Sequence, residues 1–297
     1  MTRFAGRRSL IMATLAAPFA SISMPGFAND AKTSAIKQLA SLEAAANGRL
    51  GISAIQTASG MRVQYRADER FPFCSTFKTI VAAAILKKSE TDQGLLAKRL
   101  HYTQDDLTKS GYAPITQKHI GQGMTIAELC AATLQYSDNA AVNILMRETG
   151  GLATVNAYAR SIGDTTFRLD RWEPELNSAR PGDERDTTTP AAMTKSLQKL
   201  TLGNALAVAQ REQLVAWLKG NTTGAKRMLA GVPAGWIVGD KTGTGSYGTT
   251  NDAGVLWPRK DGAPIVATIY FTQNASDATA RDDVIASATR IVVAALG

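Results

Sequence analysis

The chain has 297 residues, 44% hydrophobic and 20% charged, which suits one large core or two lobes around a cleft and excludes a disordered protein. Its formal net charge of +8 comes without any run of five basic residues, so the balance speaks for solubility and for attraction of small anions rather than for a nucleic-acid partner.

Residues 1–28 stand apart. MTRFAGRRSL carries Arg3, Arg7 and Arg8 without an acid, LIMATLAAPFA is apolar, and small residues precede Asn29: the pattern of an export leader cleaved after Ala28. A membrane span needs about 20 unbroken apolar residues, and Pro18, Ser21, Ser23 and Pro25 interrupt this run. The Arg7-Arg8 pair fits twin-arginine export, and the segment fits Sec export equally well. Loss of three arginines takes the charge from +8 to +5, and the mature chain is expected in the periplasm or outside the cell, free of the membrane.

Next, RLGISAIQTASGMRVQYRADERFPF reads as two short β-rich runs split by TASG, a hairpin. From Ser75 to about Leu218 the texture is helical, with TFKTIVAAAILKK, TIAELCAATLQYS, NAAVNILMRETGG and TPAAMTKSLQKLTLG showing helical periodicity and Gly or Pro stops. GWIVGDKTG, GTTNDAGVLWP and APIVATIYFT then read as strands, and DATARDDVIASATRIVVAAL as a closing helix. The expected fold is α/β in the α+β sense: an antiparallel sheet lobe built from both chain ends (29–66 and 220–297) and flanked by helices, with an all-helical lobe (67–219) inserted in it. RLDRWEPELNSARPGDERDTTTP has no period over more than twenty residues, which is long for an idle loop.

Cys74 and Cys130 are the only cysteines. An exported chain with one pair suggests a disulfide, whereas their apolar surroundings suit two buried thiols.

Three short motifs carry chemistry. In FPFCSTFKTI, Ser75 and Lys78 stand three residues apart, on one face of a helix that is apolar nearly all round. A lysine buried there loses solvation, its charged form is disfavoured, and a neutral amine able to take the serine's proton becomes accessible. Ser34/Lys37 and Ser196/Lys199 match the same spacing, but on helices that read as amphipathic and solvated. Ser137, Asp138 and Asn139 precede a helix, where each is also a good N-cap. Lys241, Thr242, Gly243 and Thr244 end a strand, and Gly243 leaves its edge open to a ligand. Gly243, Gly245 and Gly248 fit a dinucleotide-binding spacing, but the residues after them read as a strand, not the helix such a site needs.

S-x-x-K, S-D-N and K-T-G in this order, 62 and then 104 residues apart, form the signature of class A β-lactamases and penicillin-binding proteins. The chain resembles a class A serine β-lactamase from about residue 30 to its end. RWEPELN is similar to that family's omega loop, here 171–186, whose glutamate (Glu173) and asparagine (Asn177) hold a water for attack on the acyl-enzyme. The resemblance further implies a cis Glu173-Pro174 bond and an Arg171–Asp186 ion pair at the loop's neck. It assigns Ser75 as nucleophile, Lys78 or Glu173 (through its water) as the base for acylation, Ser137 as the proton relay to the lactam nitrogen, and Glu173 as the base for deacylation. Lys241, Thr242 and Thr244 would receive the substrate carboxylate, Asn139 its acylamido group, and the backbone N–H groups of Ser75 and Thr244 the oxyanion. Neither metal nor cofactor takes part, the partner is a small β-lactam, and a monomer suffices.

Departures from the family pattern are as informative. Positions often bridged to Cys130 and Cys74 hold Ala82 and Gly245, which favours free thiols and argues against specialised carbapenem hydrolysis. The arginine that several members carry after K-T-G is Thr250 here, and Arg227 falls where others place a substitute. KTGTGSYGTTND and the Tyr112-containing KSGYAPI resemble extended-spectrum, cefotaxime-hydrolysing members. A D,D-peptidase or a β-lactam sensor would share the serine and lysine but lack the hydrolytic loop. A Ser-His-Asp hydrolase is disfavoured because no G-x-S-x-G exists, and His101 and His119, set in polar contexts expected at the surface, lack zinc-ligand spacing.

Overall fold

The computed structural model describes residues 1–2, 25–259 and 262–297. Residues 3–24, most of the expected export leader, lie outside the described residues. Helix α1 (Pro25–Ala46) runs through the expected cleavage point at Ala28.

The hairpin of β1 (Gly48–Gln56) and β2 (Arg62–Tyr65) forms as the sequence suggests. Two short pairs follow: β3 (Phe71–Pro72) with β6 (Thr187–Thr188), and β4 (Arg99–Leu100) with β5 (Met124–Thr125). The chain returns to the main sheet through β7 (Ile237–Gly245), β8 (Thr249–Trp257) and β9 (Ile265–Gln273), giving five antiparallel strands in the order β2-β1-β9-β8-β7. Register brings Ile52 opposite Ile269 and Lys241 opposite Ala253. Strand alternation divides the apolar side chains between two cores. Leu50, Ile52, Ala54, Ile265, Ala267, Ile269 and Phe271 face α1 and α10 (Asp282–Leu296), whereas Ile55, Val266 and Tyr270 face the helices on the other side. Because both faces are covered, these strands read as nearly unbroken apolar runs.

The helical part comprises α2 (Lys78–Ser89), α3 (Gln104–Ser110), α4 (Ile126–Gln135), α5 (Asn139–Thr149), α6 (Gly151–Ser161), α7 (Pro190–Thr201) and α8 (Val208–Lys219), with a single turn, α9 (Met228–Gly231), before β7. α2 runs through the middle of this core. Ile80, Val81, Ala82, Ala83, Ile85 and Leu86 are all buried, and each of the larger ones contributes about 1.5–3 kcal/mol of burial. That explains why the segment lacks an amphipathic pattern. α4 begins with the capping box Thr125/Glu128, with both reciprocal hydrogen bonds formed. α7 lies against the sheet, where Thr194 Oγ1 donates to Ser53 O and to Thr268 Oγ1, both at 3.0 Å.

Two expectations need correction. Ser196 is buried, not solvated: its hydroxyl donates to Asp164 Oδ2 at 2.9 Å, and Lys199 Nζ donates to Ile162 O. This pair therefore serves packing at the α7 surface. His101 is exposed as expected, but His119 is half-buried at the end of the short turn Thr116–His119. The favoured reading of the cysteines holds: both are buried free thiols, Cys130 inside the helical core and Cys74 beside the end of β7.

Candidate active site

A short 3₁₀ turn, Cys74–Phe77, leads directly into α2 and carries Ser75. It is pinned from below. Phe73 stacks on Phe167 with ring centroids 5.0 Å apart and packs on Phe77 at 5.7 Å, while Asn251 on β8 donates to Pro72 O and Phe73 O. Thr76 Oγ1 donates to Phe73 O at 2.8 Å and meets Tyr270 OH at 3.0 Å. Cys74 and Ser137 both have positive φ, +45° and +58°, a region that costs a residue with a side chain about 1–3 kcal/mol and recurs where function fixes the backbone.

Ser75, Lys78, Ser137, Glu173 and Lys241 converge. Lys78 Nζ donates to Ser75 Oγ at 2.9 Å, Ser137 O at 2.9 Å and Asn139 Oδ1 at 2.6 Å, and stands 3.0 Å from Glu173 Oε1. Ser75 Oγ donates to Glu173 Oε1 at 3.1 Å. Ser137 Oγ lies between two lysines, 3.4 Å from Lys78 Nζ and 3.0 Å from Lys241 Nζ. Both lysines are fully buried. Burial pushes the Lys78 ammonium below the ordinary lysine range, opposed by the adjacent Glu173 carboxylate. For Lys241 burial is again the largest cause, the charge of Lys78 adds to it, and the group lies well below its usual value.

Above these groups opens a cleft of about 320 Å³, lined by Ser75, Tyr112, Ser137, Asn139, Asn177, Thr223, Arg227, Thr242, Gly243 and Thr244. Tyr112 is exposed at its mouth, and its carbonyl accepts from Asn139 N at 2.8 Å. Arg227 is buried: Nε pairs with Asp282 at 2.7 Å, NH1 donates to Gly243 O and Asn251 O, and NH2 donates to Thr244 Oγ1 at 2.8 Å. It thus reaches the end of β7, whereas Thr250 points elsewhere and bonds Gly248 O and Arg281 N. Gly243 is constrained for a reason the sequence did not reveal. A Cβ there would meet Phe73 O at 2.8 Å and Ser75 N at 3.2 Å, so the missing side chain lets the serine turn approach β7. At Gly245 a Cβ would meet Cys74 Sγ and Asn177 O, each at 2.7 Å.

The loop 171–186 is held by polar contacts. Asp186 is buried and accepts from Asp170 N, Arg171 N and Arg171 Nε, the last at 2.5 Å; Arg171 NH1 also donates to Ser178 Oγ. The Glu173-Pro174 bond is cis. Asn177 Nδ2 donates to Glu173 Oε2 at 2.5 Å, and Asn177 O accepts from Ser246 N at 2.9 Å, tying the loop to the turn after β7.

Sequence reasoning missed Asn143. Its Nδ2 donates to Glu173 O at 2.9 Å and its Oδ1 accepts from Glu173 N at 3.2 Å, so one amide grips both backbone groups of that residue. The available signal was its place four residues after Asn139, on the same face of α5. Asp138 is the α5 N-cap and also accepts from Ile115 N and Thr116 N. Thr223, from the segment before α9, was missed too; its hydroxyl lies 2.5 Å from that of Thr242.

A profile of the β-lactamase enzyme family matches residues 33–296. The chain belongs to the β-lactamase enzyme family. It is 54% identical over 292 residues to a β-lactamase of Citrobacter koseri, and 53% identical over 293 residues to β-lactamase CTX-M-97 of Escherichia coli, each alignment covering 98% of both chains. β-Lactamase OXY-2 of Klebsiella oxytoca is 56% identical over 267 residues, 90% of this chain and 91% of that one. Among solved structures, a β-lactamase from Desulfarculus baarsii superposes with a TM-score of 0.88 at 52% identity, covering 90% of this chain and 98% of the other.

Proposed function

We propose that this class A β-lactamase opens the lactam ring through an acyl-enzyme on Ser75 and frees the serine with water activated by Glu173. The observation that carries this reading is the position of Ser75 Oγ, 2.9 Å from an amine and 3.1 Å from a carboxylate in a buried site. Either group is within reach of the serine proton. The carboxylate distinguishes a hydrolase from a transpeptidase or sensor, which would hold the acyl group without a base to release it.

Attack by Ser75 Oγ on the lactam carbonyl places negative charge on the carbonyl oxygen, for which the N–H groups of Ser75 and Thr244 are the donors. As the C–N bond breaks, the nitrogen takes a proton from Ser137 Oγ, resupplied from Lys78 or Lys241, both in contact with that hydroxyl. With Ser75 Oγ esterified, Glu173 accepts the proton of a water that attacks the acyl carbonyl. Asn177 orients Glu173 through Oε2, and its own Oδ1, buried without a partner among the described residues, is an acceptor for that water. Thr244 Oγ1 accepts from Arg227, so its hydrogen is free to donate to the substrate carboxylate, beside Lys241 and Thr242. Asn139 receives the acylamido group, and Tyr112 borders it. Penicillins and cephalosporins, including oxyimino-cephalosporins, are the substrates, and the result for the host is antibiotic resistance. The enzyme works as a monomer in the periplasm after leader removal; no helix among the described residues is long and apolar enough to cross a membrane.

The test is a chromogenic cephalosporin given in excess to the purified chain. Many turnovers per enzyme are expected. Consumption of one equivalent followed by silence would replace the hydrolase by an acylating peptidase or sensor.

A further inference from the structure

Behind the loop 171–186, away from the cleft, lies a second cavity of about 370 Å³. Its walls come from four chain segments: Arg49 on β1, Arg70 and Pro72, the loop residues 179–184, and the end of β9 at 272–274. Three guanidinium groups, those of Arg49, Arg70 and Arg180, line it against two carboxylates, Asp183 and Glu184. Most of these charges are already committed. Arg49 pairs with Glu69 at 3.2 Å, and Asp183 pairs with Arg185 at 2.8 Å and with Arg171 at 3.7 Å. Glu184 is largely exposed and stands 3.7 Å from Arg168. Arg70 and Arg180 are left without a carboxylate partner among the described residues. Arg70 is half-buried and fixed by NH1, which donates to Thr166 O and Thr187 Oγ1, leaving Nε and NH2 without partners among the described residues. Arg180 is exposed; its carbonyl accepts from Asp183 N at 3.1 Å, but its guanidinium has no hydrogen-bond partner among them.

We propose that this cavity binds a phosphate-class oxyanion between Arg70 on the scaffold and Arg180 on the loop. Guanidinium forks match the oxygens of such an anion two at a time, and two unpaired cations suit its double charge. The cavity exceeds a bare ion and leaves room for the organic part of a phosphate monoester, within the range of small-ligand sites. A recess walled by four segments favours a soluble ligand over a lipid surface. The site is coupled to the catalytic one. Arg180 follows Ala179, which is buried with φ +45° against Gly245, and Asn177, two residues earlier, holds both Glu173 and Ser246. An anion that ties Arg180 to Arg70 therefore stiffens the segment that orients the hydrolytic carboxylate.

The experiment titrates the whole enzyme with inorganic phosphate at constant ionic strength and follows backbone amide signals by NMR, with Arg180→Glu alongside. Signals of residues 180 and 182–184 are expected to shift and saturate in the parent, and binding to weaken about tenfold or more in the variant. Hydrolysis by the variant without phosphate should match the parent, since Arg180 touches neither Ser75 nor Glu173. Unmoved signals at 180 and 182–184, equal affinity in both proteins, or shifts confined to residues 242–245 of the cleft would each overturn the proposal. Co-sedimentation with vesicles of an anionic phospholipid, without any response to free phosphate, would overturn the soluble ligand in favour of a headgroup.

Discussion

The two halves of the active site are held by different physics. Ser75, Lys78 and Lys241 sit on a turn, a helix and a strand whose positions follow from core packing: the Phe73–Phe77–Phe167 cluster beneath, the buried face of α2 behind and the sheet register alongside. Glu173 sits on a loop fixed by hydrogen bonds and ion pairs, chiefly through Asn143, Asn177, Arg171 and Asp186. Packing sums many small contacts and tolerates single losses, whereas a polar network of a few members does not. With Lys78 as the acylation base, acylation needs only the packed half and deacylation the loop, and the two should be separable by mutation.

The largest expected effect falls on the packed half. Ser75→Ala should lower kcat by about four orders of magnitude or more and abolish covalent labelling by penicillin; a labelled variant would mean that another residue is the nucleophile. On the loop, Asn143→Ala should lower kcat by about ten- to a hundredfold through misplacement of Glu173. Its pre-steady-state burst of acylation should stay near that of the parent, and equal loss of burst and turnover would break the separation. Arg227→Ala should reduce kcat/KM about tenfold for substrates that carry the ring carboxylate, and much less for an ester that lacks it. The smallest effect concerns Asp183, which the hydrogen-bonded Arg185 guanidinium holds down at about 2. Its contribution to stability is present above its ordinary value of 3.8 and is lost as pH falls through about 2. Asp183→Asn should remove that acid slope, a change below about 1 kcal/mol measured by denaturant unfolding between pH 5 and pH 2.

How much of this was legible in the sequence depended on the range of the contacts. Strands 237–245, 249–257 and 265–273 and the buried α2 follow from local pattern, and Ser75/Lys78 stand out because a lysine three residues after a serine lies in an apolar run. Lys241 and Ser137 are joined by a 3.0 Å contact across 104 residues, which no local pattern encodes; only the order of the three motifs pointed to it. Asn143 resembles any polar residue on a helix until the loop is seen lying on it. The misread Ser196/Lys199 pair shows the converse, since amphipathic periodicity does not report that Asp164 comes from elsewhere to bury the hydroxyl.

The most direct test of a loop carboxylate that frees an acylated Ser75 is intact-protein mass measured after rapid mixing of a cephalosporin with the parent and with Glu173→Gln. The variant is expected to accumulate a long-lived adduct on Ser75 while the parent returns to its free mass. A variant that clears its adduct as fast as the parent would contradict that role for Glu173.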